Sequence, residues 1–177
     1  MQNISHVLPL SLETIFKKRG IDEMKKYENK YERIVKLAQQ VADKISNFHT
    51  VKGPGRGDKA TDRYLKKLRE KVKSELGSEF SGKGICGESN KLEPDFYVPK
   101  EKTIVEVALS LRNSNSEFER DIFKAFLAQR CGKKVERLIF ISKHGASGCH
   151  EQPSSKAIMD WVKKEHGISI EIRDLSK

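Results

Sequence analysis

Glu106 stands in the middle of an otherwise apolar stretch, Thr-Ile-Val-Glu-Val-Ala-Leu. A run of β-branched residues predicts a buried strand, in which a carboxylate costs free energy unless another group compensates for it. Asp95, directly after a proline, opens an earlier extended segment, and the ten residues between the two acids suffice for a strand, a tight turn and a return. We therefore expect Asp95 and Glu106 side by side on one face of a hairpin, with Val105 and Val107 on the opposite face.

Two carboxylates placed side by side repel each other unless a cation lies between them. Mg²⁺ prefers oxygen ligands of this kind and keeps bound waters that can take part in chemistry. Asp95 also has a purely structural explanation, because an aspartate after proline often caps a turn. Glu106 has no such simple explanation, since it interrupts a strand of Ile, Val and Leu. The pair therefore predicts a Mg²⁺ site, at which Mn²⁺ is expected to substitute.

The apolar periodicity of the rest of the chain predicts an alternation of helices and strands. Apolar residues at steps of three and four indicate helices, and β-rich or alternating runs indicate strands. The predicted helices cover residues 11–18, 21–48, 61–76, 116–131 and about 154–165, and the predicted strands cover 80–87, 95–98, 103–109, 135–142 and about 168–172. After two N-terminal helices the order is α-β-β-β-α-β-α-β, which indicates an α/β fold.

The strongest candidate for a boundary is residues 51–58, which contain three glycines and one proline. This segment lacks the Lys-Ser/Thr ending of a phosphate-binding P-loop and is typical of a flexible connection. We expect an N-terminal helical region at 1–52, a linker at 53–60 and a core at 61–177. The apolar stripe of the helix predicted at 21–48 is a packing surface or a dimer surface. The N-terminal helical region at 1–52 would clamp DNA or pair with a second copy of the chain.

The order of elements, together with Pro-Asp before one strand and Glu in the next, resembles the PD-(D/E)xK superfamily of restriction-endonuclease-like nucleases over residues 62–174. The resemblance implies a restriction-endonuclease-like core, α-β-β-β-α-β with a further α-β, preceded by N-terminal helices. In that family the Asp and the Glu bind Mg²⁺, which activates a water for attack on a phosphodiester. Carried over, the ligands are Asp95, Glu106, the carbonyl of Val107 and Glu75, which helical geometry places on the apolar face of the preceding helix.

The chain departs from the family pattern at Ala108, where the family has a lysine two residues after the glutamate. That lysine holds the attacking water and offsets negative charge in the transition state, which an alanine cannot do. Lys91 and Lys102, near the ends of the two motif strands, are the candidates to replace it in the catalytic set. Lys124 on the following helix is the less favoured candidate, because its helical angle groups it with other charged residues of that helix.

The net charge of +10 favours an anionic partner, and nucleic acid is the commonest one for a basic protein. The excess is uneven, because residues 1–60 carry 12 basic and 7 acidic side chains whereas residues 81–115 carry 5 of each. The neutral segment is the one that contains the two motif acids. The side chains expected to contact DNA are Ser110, Arg112, Lys52, Arg56 and Lys143.

Together these features predict a Mg²⁺-dependent endonuclease, of the type II restriction class, that hydrolyses phosphodiester bonds in double-stranded DNA. Cutting both strands requires two active sites, so we expect a homodimer. The alternatives are a nucleic-acid-binding module on the same fold that has lost cleavage, and a junction or repair nuclease. The chain has no apolar run long enough for a membrane span, no apparent signal peptide and three widely spaced cysteines, which together predict a cytoplasmic protein without a membrane partner.

Overall fold

The computed structural model describes residues 29–49, 59–85, 92–111 and 115–177. Helices and strands alternate through most of this length, and the chain is a mixed α/β protein, as the sequence pattern predicts. The helices are α1 (Lys30–Ala42), α2 (Lys59–Leu76), α3 (Asn115–Arg130), α4 (Ala146–Cys149) and α5 (Pro153–His166). The strands are β1 (Phe96–Val98), β2 (Thr103–Val107), β3 (Arg137–Lys143) and β4 (Ser169–Leu175).

The four strands form one sheet in the order β1-β2-β3-β4. β1 runs antiparallel to β2, whereas β2, β3 and β4 run parallel to one another. Each parallel connection contains a helix, as parallel pairing requires. The carboxyl ends of the three parallel strands and the amino end of β1 therefore lie at the same edge of the sheet.

Helices α1 and α2 cover one face of the sheet. Their apolar sides form a single core with alternate residues of the strands, among them Val105 and Val107 of β2. Ile34 of α1 and Tyr64 of α2 are completely buried in this core. α1 is held further by Glu101 in the turn between β1 and β2, whose carboxylate accepts hydrogen bonds from the first two backbone amides of the helix at 2.6 and 3.1 Å.

Helices α3 and α5 cover the opposite face. Their apolar sides pack against Ile104, Ala108 and Phe140, and this second core is completed by the strand residues that alternate with those of the first. Trp161, whose helical spacing indicates a core position, is instead 51% exposed and contacts Phe126 edge-on. Because Glu106 alternates with Val105 and Val107, its side chain belongs to the α3 side of the sheet.

The strand predicted at 80–87 is wrong over its described part. Residues Ser78–Phe80 form a single 3-10 turn, and Ser81 makes one isolated bridge to Phe96. Glycine explains the difference: Gly84 has a φ of +72°, and a Cβ at Gly82 would lie 2.0 Å from a backbone oxygen. Such a backbone makes a close approach to the hairpin but does not continue as a strand.

The helix predicted at 21–48 ends earlier, at Ala42, and turns follow it. Asn47 has a φ of +58°, which helical backbone does not adopt. Residues 21–28, the helix predicted at 11–18 and most of the predicted linker lie outside the described residues, although residues 59 and 60 already belong to α2. The described part of the apolar stripe packs within the chain, so that part is not a surface for a second copy. The division at 53–60 stays a prediction.

No helix within the described ranges combines the length and the apolar character that crossing a bilayer requires.

Candidate active site

The hairpin places Asp95 beside Glu106 at the shared edge of the sheet. Phe96 pairs with Val105, so extending the antiparallel register by one residue puts the two acids opposite each other. The backbone N–H of Asp95 donates to Oε2 of Glu106 at 3.3 Å, and Oδ2 of Asp95 accepts from the N–H of Val107 at 2.9 Å. The structure thus brings together the two acids that the sequence pattern singles out.

Glu106 is completely buried, and its two carboxylate oxygens differ sharply. Oε2 accepts a hydrogen bond from Nζ of Lys124 at 3.0 Å, whereas Oε1 is buried with no hydrogen-bond partner among the residues that the structure describes. Burial, with repulsion from Asp95 and Asp121, raises the pKa of the Glu106 carboxyl well above its ordinary value, although Lys124 opposes this change. A buried oxygen without a partner is costly and is expected to bind something.

Lys124 is the cation that pairs with Glu106. Its Nζ lies between Glu106 and Asp121, 3.0 Å from Oε2 of the first and 2.9 Å from Oδ1 of the second. Burial alone would lower the pKa of this ammonium, but the attraction of the two carboxylates and their hydrogen bonds outweigh burial and raise it. Lys124 is therefore held as a charged donor beside the buried glutamate.

The neighbours of Lys124 on α3 extend the polar network along the helix. Oδ1 of Asp121, which is 2% exposed, also accepts from Nε of Arg120 at 3.2 Å. Glu117, one turn earlier, accepts a hydrogen bond from the hydroxyl of Ser110 at 2.7 Å. In the sequence, this row of charges is typical of a polar helix face. The missed signal is its position, because the row borders the apolar residues that dock α3 onto the strand carrying Glu106.

Arg69 of α2 approaches Asp95 from the other side of the sheet. Its guanidinium donates to Oδ1 of Asp95 at 2.6 Å. Both oxygens of Asp95 are thus hydrogen-bonded, one by Arg69 and one by the backbone of Val107. Each acid of the pair therefore has its own cation, contributed by a helix on a different face of the sheet.

Glu75 is not part of this group. Its carboxylate pairs with Arg33 of α1 and with Lys71, one turn earlier on its own helix. The helical angle does place Glu75 on the side shared with the buried residues of α2, as expected, but that side faces α1. The residue that α2 contributes to Asp95 is Arg69, so the fourth metal ligand implied by the family resemblance is absent from this position.

The lysines expected to replace the family lysine are not brought to the acids. Lys102 lies before the amino end of β2, has a φ of +49° and pairs with Glu136. Four strand steps, roughly 13 Å, separate it from Glu106. Lys91 lies outside the described residues. Ala108 is completely buried in the core beneath α3. The ammonium group beside Glu106 is therefore that of Lys124 on this helix, and the strand contributes none at position 108.

The residues predicted to contact DNA are only partly described. Ser110 lies at the site edge, hydrogen-bonded to Glu117, and Lys143 lies at the end of β3 with its ammonium 5.4 Å from the ring centre of Phe48. Residues Lys52, Arg56 and Arg112 lie outside the described residues. Val107 is at the site, but the contact described is made by its N–H group and not by the carbonyl expected to bind metal.

The residues present fit a hydrated divalent cation better than a fully protein-enclosed one. Within the described ranges no three His, Cys, Asp or Glu side chains are grouped to hold a metal ion. Mg²⁺ does not require such a group, because one or two carboxylates, several waters and substrate phosphates commonly complete its shell. Glu106 offers the cation a buried oxygen that has no partner among the described residues. Asp95 can offer it a second oxygen if Arg69 moves away from that carboxylate.

Comparison with known protein families, with curated proteins and with solved structures found no match to this chain.

Proposed function

We propose that this protein is a divalent-metal-dependent endonuclease of the restriction-endonuclease-like class, which hydrolyses phosphodiester bonds in double-stranded DNA. The observation that carries the proposal is the buried carboxylate of Glu106, with one oxygen bound to Lys124 and the other without a partner. Asp95 on the adjoining strand provides a second carboxylate in register with it. An acid pair with an adjacent buried ammonium supplies the chemical groups that the family requires.

The roles follow from the contacts. Asp95 and Glu106 would hold Mg²⁺, or Mn²⁺ in its place, which when bound supplies Lewis-acid stabilisation of the phosphate and lowers the pKa of a bound water. Lys124 takes the part of the lysine that Ala108 replaces: its charged Nζ orients the attacking water and stabilises negative charge developing on the phosphate. Asp121 positions Lys124 by accepting a hydrogen bond from one of the three N–H donors of its ammonium.

The topology supports the proposal from residue 95 onward. A hairpin with the acids at its open edge, a helix crossing over the sheet and a parallel strand follow in the order that the resemblance implies. Among the described residues, the first strand of the family core has only the isolated Ser81 bridge as a counterpart. Ligands of open α/β sheets bind at the carboxyl ends of the strands, and this is the edge at which Asp95 and Glu106 lie.

A restriction-type role fits the remaining features. The excess positive charge provides the sequence-independent attraction to phosphates that DNA enzymes use. Cleavage of both strands by a chain with one site calls for a homodimer, whose interface lies away from the buried side of α1. We place the protein in the cytoplasm, where its substrate DNA would be.

The direct test is cleavage of supercoiled plasmid in Mg²⁺ or Mn²⁺ by the wild type, Asp95→Ala and Glu106→Ala. Asp160→Ala, which removes an exposed acid on α5, is the matched control. We expect nicked and linear products from the wild type and the control, and none from the two site variants. Absence of cleavage by the wild type in both metals, or cleavage that survives Glu106→Ala, would overturn the proposal.

A second candidate, a DNA-binding module without cleavage, is favoured by one observation. Both acids already have cationic partners, Arg69 and Lys124, so the pair is stable without a metal. Salt-sensitive DNA binding with no cleavage in either metal is the result this candidate predicts. A junction or repair nuclease would use the same residues, and adding a four-way junction and a nicked duplex to the substrates distinguishes it from a restriction-type enzyme.

A further inference from the structure

A groove of about 310 Å³ adjoins Asp95 on the α2 side of the sheet. Its walls are the end of α2, the 3-10 turn after it and the amino end of β1. The polar and charged residues that line it are Arg69, Lys73, Ser78, Ser81, Lys83 and Asp95. None of the functional roles given above involves Lys73, Lys83 or the two serines.

Three cationic side chains and one carboxylate line this groove, and the carboxylate of Glu79 lies against Gly77 at its wall. Its single lining carboxylate, Asp95, is already paired with Arg69. Lys73 and Lys83 are both exposed, and within the described part of the chain neither forms an ion pair. Two ammonium groups without an ion-pair partner among the described residues therefore line a concave surface that also contains two hydroxyl groups. That set of donors matches the oxygens of a phosphate.

Glycine fixes the wall that carries Lys83 against the backbone of Pro94 and Asp95. The N–H of Gly82 donates to the backbone oxygen of Asp95 at 3.3 Å, and a Cβ at Gly82 would lie 2.0 Å from the carbonyl oxygen of Pro94. Only glycine allows so close an approach. Lys83, the next residue, is thus held beside the chain segment that presents Asp95.

Arg69 connects the groove to the site. A guanidinium has five donors, and within the described residues the side chain of Arg69 uses one of them, to Oδ1 of Asp95. Its planar fork suits a phosphate as well as a carboxylate, so a guanidinium that leaves Asp95 to a metal can turn to a phosphate in the groove. The groove and the acid pair therefore share a side chain that suits both.

We infer that this groove binds a backbone phosphate of the DNA strand next to the phosphate that is cleaved, through Arg69, Lys73 and Lys83. The inference rests on the proposed function for the identity of the polyanion, but the groove itself is independent of cleavage. Contacts to phosphate fix the register of a protein on DNA without reading its sequence. This groove therefore sets which phosphodiester lies over Asp95 and Glu106.

The test compares Lys73→Ala/Lys83→Ala with a matched control, Lys163→Ala/Lys164→Ala, which removes the same charge from α5 on the opposite side of the sheet. Binding to a fluorescently labelled duplex is measured by anisotropy in EDTA over a range of salt concentrations. We expect the groove variant to bind about tenfold more weakly, with a salt slope reduced by about one, whereas the control keeps both values close to wild type. Thermal melts establish that all proteins are folded, and the single variants Lys73→Gln and Lys83→Gln provide the same comparison if the double variant is unstable.

The outcomes separate the groove from the catalytic proposal. Equal affinity and salt slope for the groove variant and the wild type would overturn the inference that the groove binds phosphate, even if the wild type cleaves plasmid. Weakened binding with a reduced slope supports the groove, even if the wild type cleaves nothing. Absence of wild-type binding to duplex DNA at any salt concentration would overturn both.

Discussion

Nζ of Lys124 lies 3.0 Å from Oε2 of Glu106, although the two residues belong to different elements and are 18 positions apart in the chain. A strand and the helix that crosses back over it thus jointly build one buried ion pair. Removing one partner of such a pair leaves the other charge uncompensated, so the contact is both structurally and chemically important.

Lys124→Gln is expected to lower plasmid cleavage by about 10²–10³-fold, because the variant loses the charge that stabilises the transition state. Lys102→Gln, at the other end of β2, is expected to cleave like the wild type. Initial rates of supercoiled plasmid loss measure both. Lys124→Arg keeps a cation near Glu106 and guards against loss of the fold, which a melting curve checks. Equal losses in the Lys102 and Lys124 variants would contradict the assignment.

Glu75→Gln should leave cleavage unchanged, because Glu75 pairs with Arg33 and Lys71 and not with the acid pair. Surface ion pairs contribute little, so the free energy of unfolding should fall by less than about 1 kcal/mol. Urea unfolding and the plasmid assay give the two values. A large loss of cleavage in a folded Glu75→Gln protein would restore this residue to the metal site.

Ile34→Ala should destabilise the protein by about 2–5 kcal/mol, because this side chain of α1 is completely buried against α2 and the sheet. Lys67→Ala, on the exposed side of α2, should change stability by less than about 0.5 kcal/mol. Chemical denaturation followed by circular dichroism measures both. A negligible effect of Ile34→Ala would mean that α1 does not dock on the core in solution.

Tyr64 should make stability decrease at alkaline pH. Burial raises the pKa of its hydroxyl above the ordinary value of 10.0, and the hydroxyl donates to the carbonyl of Ala38 at 3.0 Å. Below pH 10.0 both folded and unfolded states keep the proton, whereas above it the unfolded state loses the proton first. The free energy of unfolding therefore falls as pH rises through this range, by up to about 1.4 kcal/mol per pH unit.

Tyr64→Phe removes this pH dependence, and the loss of the hydrogen bond lowers the free energy of unfolding by about 1 kcal/mol. The difference in unfolding free energy between wild type and variant should thus shrink, and then reverse, as pH is raised above 10.0. Denaturant titrations on both sides of that pH measure the difference. A difference that does not depend on pH would contradict the raised pKa.

The hairpin and the α/β order could be predicted because their signals are local. The β-branched residues around Glu106 and the short turn before Thr103 determine both strands and their register, and so the adjacency of Asp95 and Glu106. Gln129 shows what the pattern alone does not decide: its amide donates to the carbonyls of Val135 and His166, which gives this polar side chain on the packing face of α3 a structural role.

Arg69 and Lys124 could not be predicted in the same way, because their contacts depend on how helices dock. Periodicity identifies the buried side of a helix but not the strand residue that it meets. Glu75 illustrates this limit. Helical geometry gives the correct side of α2 for this residue, but that side meets Arg33 of α1 and not the acid pair. The strand expected before the hairpin failed for a different reason, because its glycines favour turns and close approach over pairing.

The parallel arrangement of β2, β3 and β4 has a consequence for how such a protein can diversify. The segments that follow β2 and β3 begin at the edge of the sheet where the acid pair lies, and within the described residues neither segment adds a strand to the sheet. Loops at such an edge tolerate insertions and replacements that the core does not. Changes in length there would alter which substrates the edge accepts while leaving the buried lysine–glutamate pair in place.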